Sequence, residues 1–225
     1  MLLGYYISVK TQNCCEGVSD MLEELGEKIG NAVENNLDDI TPTQKEIIQY
    51  TVVQVFGELI KIAIMFAIVW PFGVAHLLLI AILSMAIYRV PSGGVHSKSH
   101  IACFVTSMIL FMGNVLISSL VKGPYLDIIY ILIFLINIPI IHYFAPADTE
   151  MKPVASKKQR LVLKIISYIC MTGTILIGRF AINDIAIRNI FIFGTLIQSI
   201  TMLPFIYKIL GTKYGYRDGI LVPQI

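Results

Sequence analysis

The reactive side chains of this sequence gather in one stretch, "YRVPSGGVHSKSHIACFVTS" at residues 88–107, where Arg89, Gly93, Gly94, His96, His100 and Cys103 stand between two apolar runs. Cys103 falls where the polar loop gives way to the next apolar, helical segment. Unpaired N–H groups at a helix N-terminus favour the thiolate, which is the nucleophilic form of cysteine. A neighbouring imidazole can take the thiol proton and return it to a leaving group, which is what acyl transfer to sulfur requires. His100 precedes Cys103 by three residues, within one helical turn. His96 precedes it by seven, about 10 Å away along an unbroken helix, so it serves only if the chain folds back. Gly93 and Gly94 permit such a bend, because glycine adopts backbone angles closed to other residues. Irregular backbone at membrane depth must be buried in protein or line a wet cavity. The residues alone leave His96 and His100 both open as the base.

Two other readings fit the same letters. "HSKSHIAC" spaces His96, His100 and Cys103 as a set of zinc ligands would be spaced. A helical zinc peptidase carries an acid between its histidines as general base, whereas here Ser97, Lys98 and Ser99 intervene and the lysine repels a cation. The expected metal content is therefore none. The plainest alternative is that the cysteine is a small apolar residue and the histidines lie at an interface.

The elements that position this stretch are apolar helices. The chain has 225 residues, of which 56% are hydrophobic and 14% charged, with a mean hydropathy of +0.75. Soluble domains are about a quarter charged. The apolar runs approach 20 residues, about what a helix needs to cross roughly 30 Å of hydrocarbon. An all-α integral membrane protein follows, with about six transmembrane helices near 46–70, 72–88, 101–121, 125–144, 161–180 and 187–207. Residues 89–100 form a re-entrant-like Gly-Gly/His/Cys loop leading into the third span. The expected organisation is an N-terminal segment 1–45, a transmembrane domain 46–210 and a tail 211–225.

Within the first segment, Val18, Leu22, Leu25, Ile29, Val33 and Leu37 recur at helical spacing with acids opposite, an amphipathic helix too polar to cross a bilayer. Its acidic face argues against simple adhesion to anionic lipid. "MLLGYYISVK" lacks the basic start of a signal peptide. With six spans, 13 of the 17 basic residues share one side with both termini and the Cys/His loop. Basic loops stay in the cytoplasm, so the termini and the site are expected there. Nothing in the charge pattern suggests nucleic acid. The cysteines at 14, 15, 103 and 170 have no disulfide-framework spacing, and Cys170 reads as a packing residue.

Three further features are candidates for binding. Glu58 and Lys61, three apart inside the first span, are costly in lipid; they pair with each other or line a substrate groove. Lys152, Lys157, Lys158, Arg160 and Lys164 form a basic run that fits either a topology signal or a site for an acidic peptide tail. A small transporter using the polar loop and Glu58–Lys61 is the competing class, although such folds show broken spans in two related halves and only one break is evident.

The pattern Arg-x4-Gly-x-His-x6-Cys, formed by Arg89, Gly94, His96 and Cys103, resembles the accessory gene regulator protein B (AgrB) family. "KEIIQYTVVQVFGELIKI" is similar to that family's first span, and "APADTEMKPVASKKQR" to its proline-rich basic loop. The resemblance implies a membrane cysteine endopeptidase of bacterial quorum sensing, without a cofactor, with His96 as base and Cys103 as nucleophile. It implies that Arg89 and Gly94 shape the site. Its substrate would be an AgrD-like propeptide, cleaved before its acidic tail and cyclised to a thiolactone or lactone. The resemblance also favours a homodimer in the bacterial cell membrane.

Overall fold

The computed structural model describes residues 21, 24–35, 42–95, 100–149, 154, 156–213, 216–217 and 220–221. Cys14, Cys15, His96 and Lys152 lie outside the described residues, as do Val18, Leu22 and Leu37 of the amphipathic pattern. Among the described residues, five helical segments are long and apolar enough to cross a membrane: Thr51–Phe72, Ala75–Ser92, Ala102–Leu120, Leu126–Phe144 and Lys157–Ala181. The chain divides into two compact units, Met1–Pro71 and Phe72–Ile225.

The first unit is a helical hairpin of α1 (24–35) and α2 (Pro42–Val69). Leu25, Ile29 and Val33 are half-buried on one side of α1, and Glu24, Glu27, Lys28, Asn31 and Glu34 are exposed on the other, as the spacing requires. Lys28 hydrogen-bonds to and attracts Glu24 one turn earlier, holding its carboxyl below the ordinary range. The two helices run antiparallel, because Lys45 pairs with Glu34 at 2.6 Å while Gly30 meets Gln49 and Gly26 meets Val53. Both glycines are buried. A methyl group at Gly30 would lie 2.6 Å from Gln49 Cγ, and one at Gly26 2.9 Å from Val53 Cγ2. The helices therefore approach at a distance only glycine permits.

The second unit holds α3 (Ala75–Ser92), α4 (His100–Leu120), α5 (Leu126–Phe144), α6 (Lys157–Leu176), α7 (Ile185–Ile200) and α8 (Pro204–Ile209). A π turn, Ile177–Ala181, extends α6, and a short antiparallel pair, β1 (Tyr216–Arg217) and β2 (Ile220–Leu221), follows α8. Helix α7 packs against α3, α4, α5 and α6. Lipid tails are as apolar as leucine, so helices that associate within a membrane rely on close packing and polar bonds. Helix α7 supplies both. Its Asn189 donates to the carbonyls of Ser118 at 2.9 Å and Val121 at 2.8 Å, at the end of α4 where helical partners run out, and accepts from Tyr130 Oη at 2.6 Å. Asn114 donates to the Ile190 carbonyl, and Asn137 to Thr195 Oγ1. Gly194 gives room to Met85 and Asn114. The apolar core joins Tyr88, Tyr130, Ile133, Ile141, Met171, Ile192, Phe193 and Tyr207, with Cys170 packed against it.

Helix bounds differ from the sequence reading at three places. Helix α3 runs through Arg89 and Pro91 to Ser92, so Arg89 belongs to the last helical turn rather than to the loop. Helix α6 starts at Lys157, where Ser156 Oγ accepts from Gln159 N and caps it. Helix α7 stops at Ile200, not 207, because Pro204 lacks an N–H and its ring would clash with the carbonyl four residues earlier.

Replacing Gly30 with Leu forces α1 away from α2. The expected result is a loss of about 1–3 kcal/mol of stability, typical of an overpacked contact, read as a lower thermal midpoint in detergent. Gly30→Ala should cost less than Gly30→Leu, and equal midpoints for both variants and the parent would refute the close approach.

Candidate functional site

The turn that follows α3 is bonded on every side. Gly93 has φ +72° and Gly94 φ +144°, a region favourable to glycine. A methyl group at Gly93 would sit 2.2 Å from the Ala147 carbonyl oxygen. That contact belongs to a short parallel bridge: Ala147 N donates to Ser92 O at 2.8 Å and Gly94 N donates to Ala147 O at 2.9 Å. The segment after α5 thus runs beside the glycine pair and fixes it.

Helix α7 holds the other side of the turn. Gln198 Nε2 donates to Gly93 O at 2.7 Å and to Ser92 Oγ at 3.1 Å, and its Oε1 accepts from Arg89 Nη1 at 3.1 Å. Arg89 Nη2 donates to Val95 O at 2.9 Å, and Val95 N donates to Thr201 O at 3.3 Å. Tyr88 Oη shares a hydrogen bond of 2.8 Å with Ser199 Oγ. Gly94 is buried where a side chain would meet Thr201 Oγ1 at 2.9 Å and Arg89 Nη1 at 3.1 Å. Its missing side chain makes room for the guanidinium. The Gly-Gly segment forms a hydrogen-bonded turn.

From Val95 the chain passes to His96, outside the described residues, and resumes at His100, which opens α4. Cys103 stands in the first turn of that helix, half-buried. The thiol therefore occupies the helix-start position that the sequence chemistry called for.

The basic run divides. Lys157 and Lys158 are exposed on the first turn of α6. Arg160 instead turns inward and pairs with Asp148 at 2.8 Å, the carboxylate's side chain being only 3% exposed. The same carboxylate accepts from Val154 N at 3.0 Å, and Tyr207 Oη donates to the Asp148 carbonyl at 3.2 Å. Arg160 thereby braces the segment that carries Ala147. Lys164 donates to the His142 carbonyl at 2.8 Å. In the first unit Glu58 and Lys61 form an ion pair with each other.

Sequence reasoning passed over Gln198, Thr201, Ala147 and Asp148. A signal existed for the first: Thr195, Gln198 and Ser199 recur at helical spacing in an apolar run, and polar side chains in such runs face protein rather than lipid.

A largely helical chain with, among the described residues, five helices fit to span a membrane, carrying an arginine-braced glycine turn and a cysteine at the start of the next helix, defines the class. The sequence profile of the accessory gene regulator B family matches residues 26–202, and the chain belongs to that family. It is 27% identical over 204 residues to an AgrB-like protein of Clostridium acetobutylicum, covering 88% of this chain and 93% of that one. It is 32% identical over 152 residues to an AgrB-like protein of Clostridium perfringens, covering 64% and 69%. Accessory gene regulator protein B of Staphylococcus aureus is 30% identical over 177 residues, covering 77% and 88%. No solved structure matches the chain. Membership supports a role in quorum-sensing peptide processing.

Gly93→Ala must break the bridge to Ala147 and place a side chain at positive φ. The expected cost is about 1–3 kcal/mol, measured as reduced resistance to thermal unfolding. Gly113→Ala, inside α4 where nothing lies within 4 Å, should not lower the midpoint, because alanine is the better helix former; equal midpoints for the two variants would refute the bridge.

Proposed function

We propose that this chain is a membrane cysteine endopeptidase that removes the C-terminal tail of an AgrD-like propeptide and closes the remaining core into a ring. The observation that carries the reading is the braced turn at Arg89–Val95, which feeds a short segment containing His96 and ends on Cys103 in the first turn of α4. In this reading α7, 16 residues long and so about 24 Å, completes six crossings by drawing the bilayer thinner around it. The basic bias then puts both termini and the site in the cytoplasm. A homodimer is part of the same proposal.

His96 takes the proton of Cys103, and the thiolate attacks the carbonyl of the last core residue. The amide nitrogen of the tail leaves with that proton, and the core stays as a thioester on Cys103. A thiol or hydroxyl within the core then attacks the thioester, freeing Cys103 and closing a thiolactone or lactone. Exchange of one thioester for another is nearly isoenergetic, whereas hydrolysis would discard the stored free energy. Excluding water at this step therefore decides the product. Lys157 and Lys158, exposed on α6, with Lys152, are the groups that would meet an acidic tail. Arg160 contributes through Asp148 instead.

The test combines lipid-embedded protein with candidate propeptides and follows the mass of Cys103. A core adduct absent from Cys103→Ala is expected, and His96→Ala should slow its formation by about 10²–10⁴-fold, the usual worth of a general base. Processing that survives Cys103→Ala but stops with a chelator would transfer the activity to a zinc site. No processing of any cognate propeptide would overturn the peptidase and leave a transporter or a scaffold.

Joint reversal of Lys152, Lys157 and Lys158 to Glu should raise KM several-fold with kcat little changed, at about 1 kcal/mol or less for each exposed pair. An unaltered KM in a correctly inserted variant would remove these lysines from the binding site.

A further inference from the structure

Gln198 occupies a position that no site motif announces. It lies on the last turn of α7, 95 residues after Cys103 in the chain, and is fully buried. Its carboxamide works in both directions: the oxygen accepts from Arg89 Nη1, and the nitrogen donates to Gly93 O and Ser92 Oγ. Those bonds also fix which end of the amide faces which partner, since a flipped group would set its oxygen against the Gly93 carbonyl and its N–H groups against the guanidinium. Thr201 completes the arrangement, donating through Oγ1 to the Gln198 carbonyl at 2.7 Å and accepting at its own carbonyl from Val95 N. Arg89 in turn reaches the Val95 carbonyl. The backbone leaving the turn is thus held by the carbonyl of Thr201 on one side and by the guanidinium that Gln198 orients on the other.

From this geometry we infer that Gln198 is a positioning residue for the Cys103 site, acting through Arg89 and the Gly93–Val95 turn. The inference rests on the thiol–imidazole reading above. An apolar residue of the same size would fill the space but leave Arg89 Nη1 and the Gly93 carbonyl without this partner. A glutamate would keep the acceptor for Arg89 and lose the donor to Gly93. Gln198 makes no reaction step of its own; it holds the Ser92–Val95 backbone, directly and through Arg89.

The test needs no peptide substrate. Alkylation of Cys103 by iodoacetamide is followed by peptide mass spectrometry in the full chain in lipid vesicles, alongside the thermal unfolding midpoint. Gln198→Leu is expected to slow alkylation about tenfold, the low end of what losing an orienting outer partner costs. Gln198→Glu should fall between Gln198→Leu and the parent. In a His96→Ala background, already slow, Gln198→Leu should add nothing. A role confined to packing predicts the opposite sign, because a loosened structure exposes the thiol and alkylates faster. Parent-like alkylation in Gln198→Leu, faster alkylation, or a further slowing on top of His96→Ala each overturns the inference. If His96→Ala itself alkylates like the parent, the thiol–imidazole pairing fails first, which separates the two failures.

Discussion

Backbone groups that leave a helix must find new partners, and a chain this apolar has little water to offer them. A buried N–H or C=O left without a bond costs about 1–3 kcal/mol. The turn at Ser92–Val95 is buried along most of its length, so its polar groups have to be answered by protein. Ala147 answers Ser92 and Gly94, Gln198 answers Gly93, and Thr201 with Arg89 answers Val95. Three of those partners, Ala147, Gln198 and Thr201, come from far along the chain. The turn therefore cannot take its shape until α7 and the segment after α5 have docked, and the rest of the second unit is arranged to bring them there.

Helix α7 is suited to that task by its polar stripe. Asn189, Thr195, Gln198 and Ser199 point inward with Ile190, Ile192 and Phe193, and each polar group meets a neighbouring element. Asn189 ties the end of α4 to α5, while Gln198 and Ser199 tie the end of α3. Neutral amides and hydroxyls make such bonds without the desolvation cost that charged groups would bring. Gly194 leaves room for the Met85 and Asn114 side chains against α7.

Charge is used sparingly and with two purposes. Asp148 and Arg160 make a largely buried pair, in which the carboxylate also accepts from Val154 N and the guanidinium also donates to the carbonyls of Val154 and Pro146. A buried pair is worth most when further bonds satisfy its remaining atoms, and this one holds the segment that carries Ala147. Lys157 and Lys158, on the same helix turn as Arg160, stay in contact with solvent. One short basic run thus supplies both a brace and a surface, a division that residue type alone does not reveal.

Much of this molecule was legible before any tertiary contact was known. Runs of apolar residues near 20 long announce helices, because hydrocarbon thickness sets their length. The four-residue spacing of Leu25, Ile29 and Val33 gave the face of α1, because 3.6 residues make a turn. Glycine beside glycine, then histidine and cysteine before an apolar run, gave the candidate chemistry, because reactivity depends on residue type and local position. What only the folded chain decided was partnership. Arg89 belongs to α3 and reaches across to Val95; Gly94 is small for the sake of Arg89; Gln198, 109 positions beyond Arg89, completes the turn. Hydrogen bonds of that reach have no period in the sequence. They follow from which helix faces are buried together, and that is settled by packing.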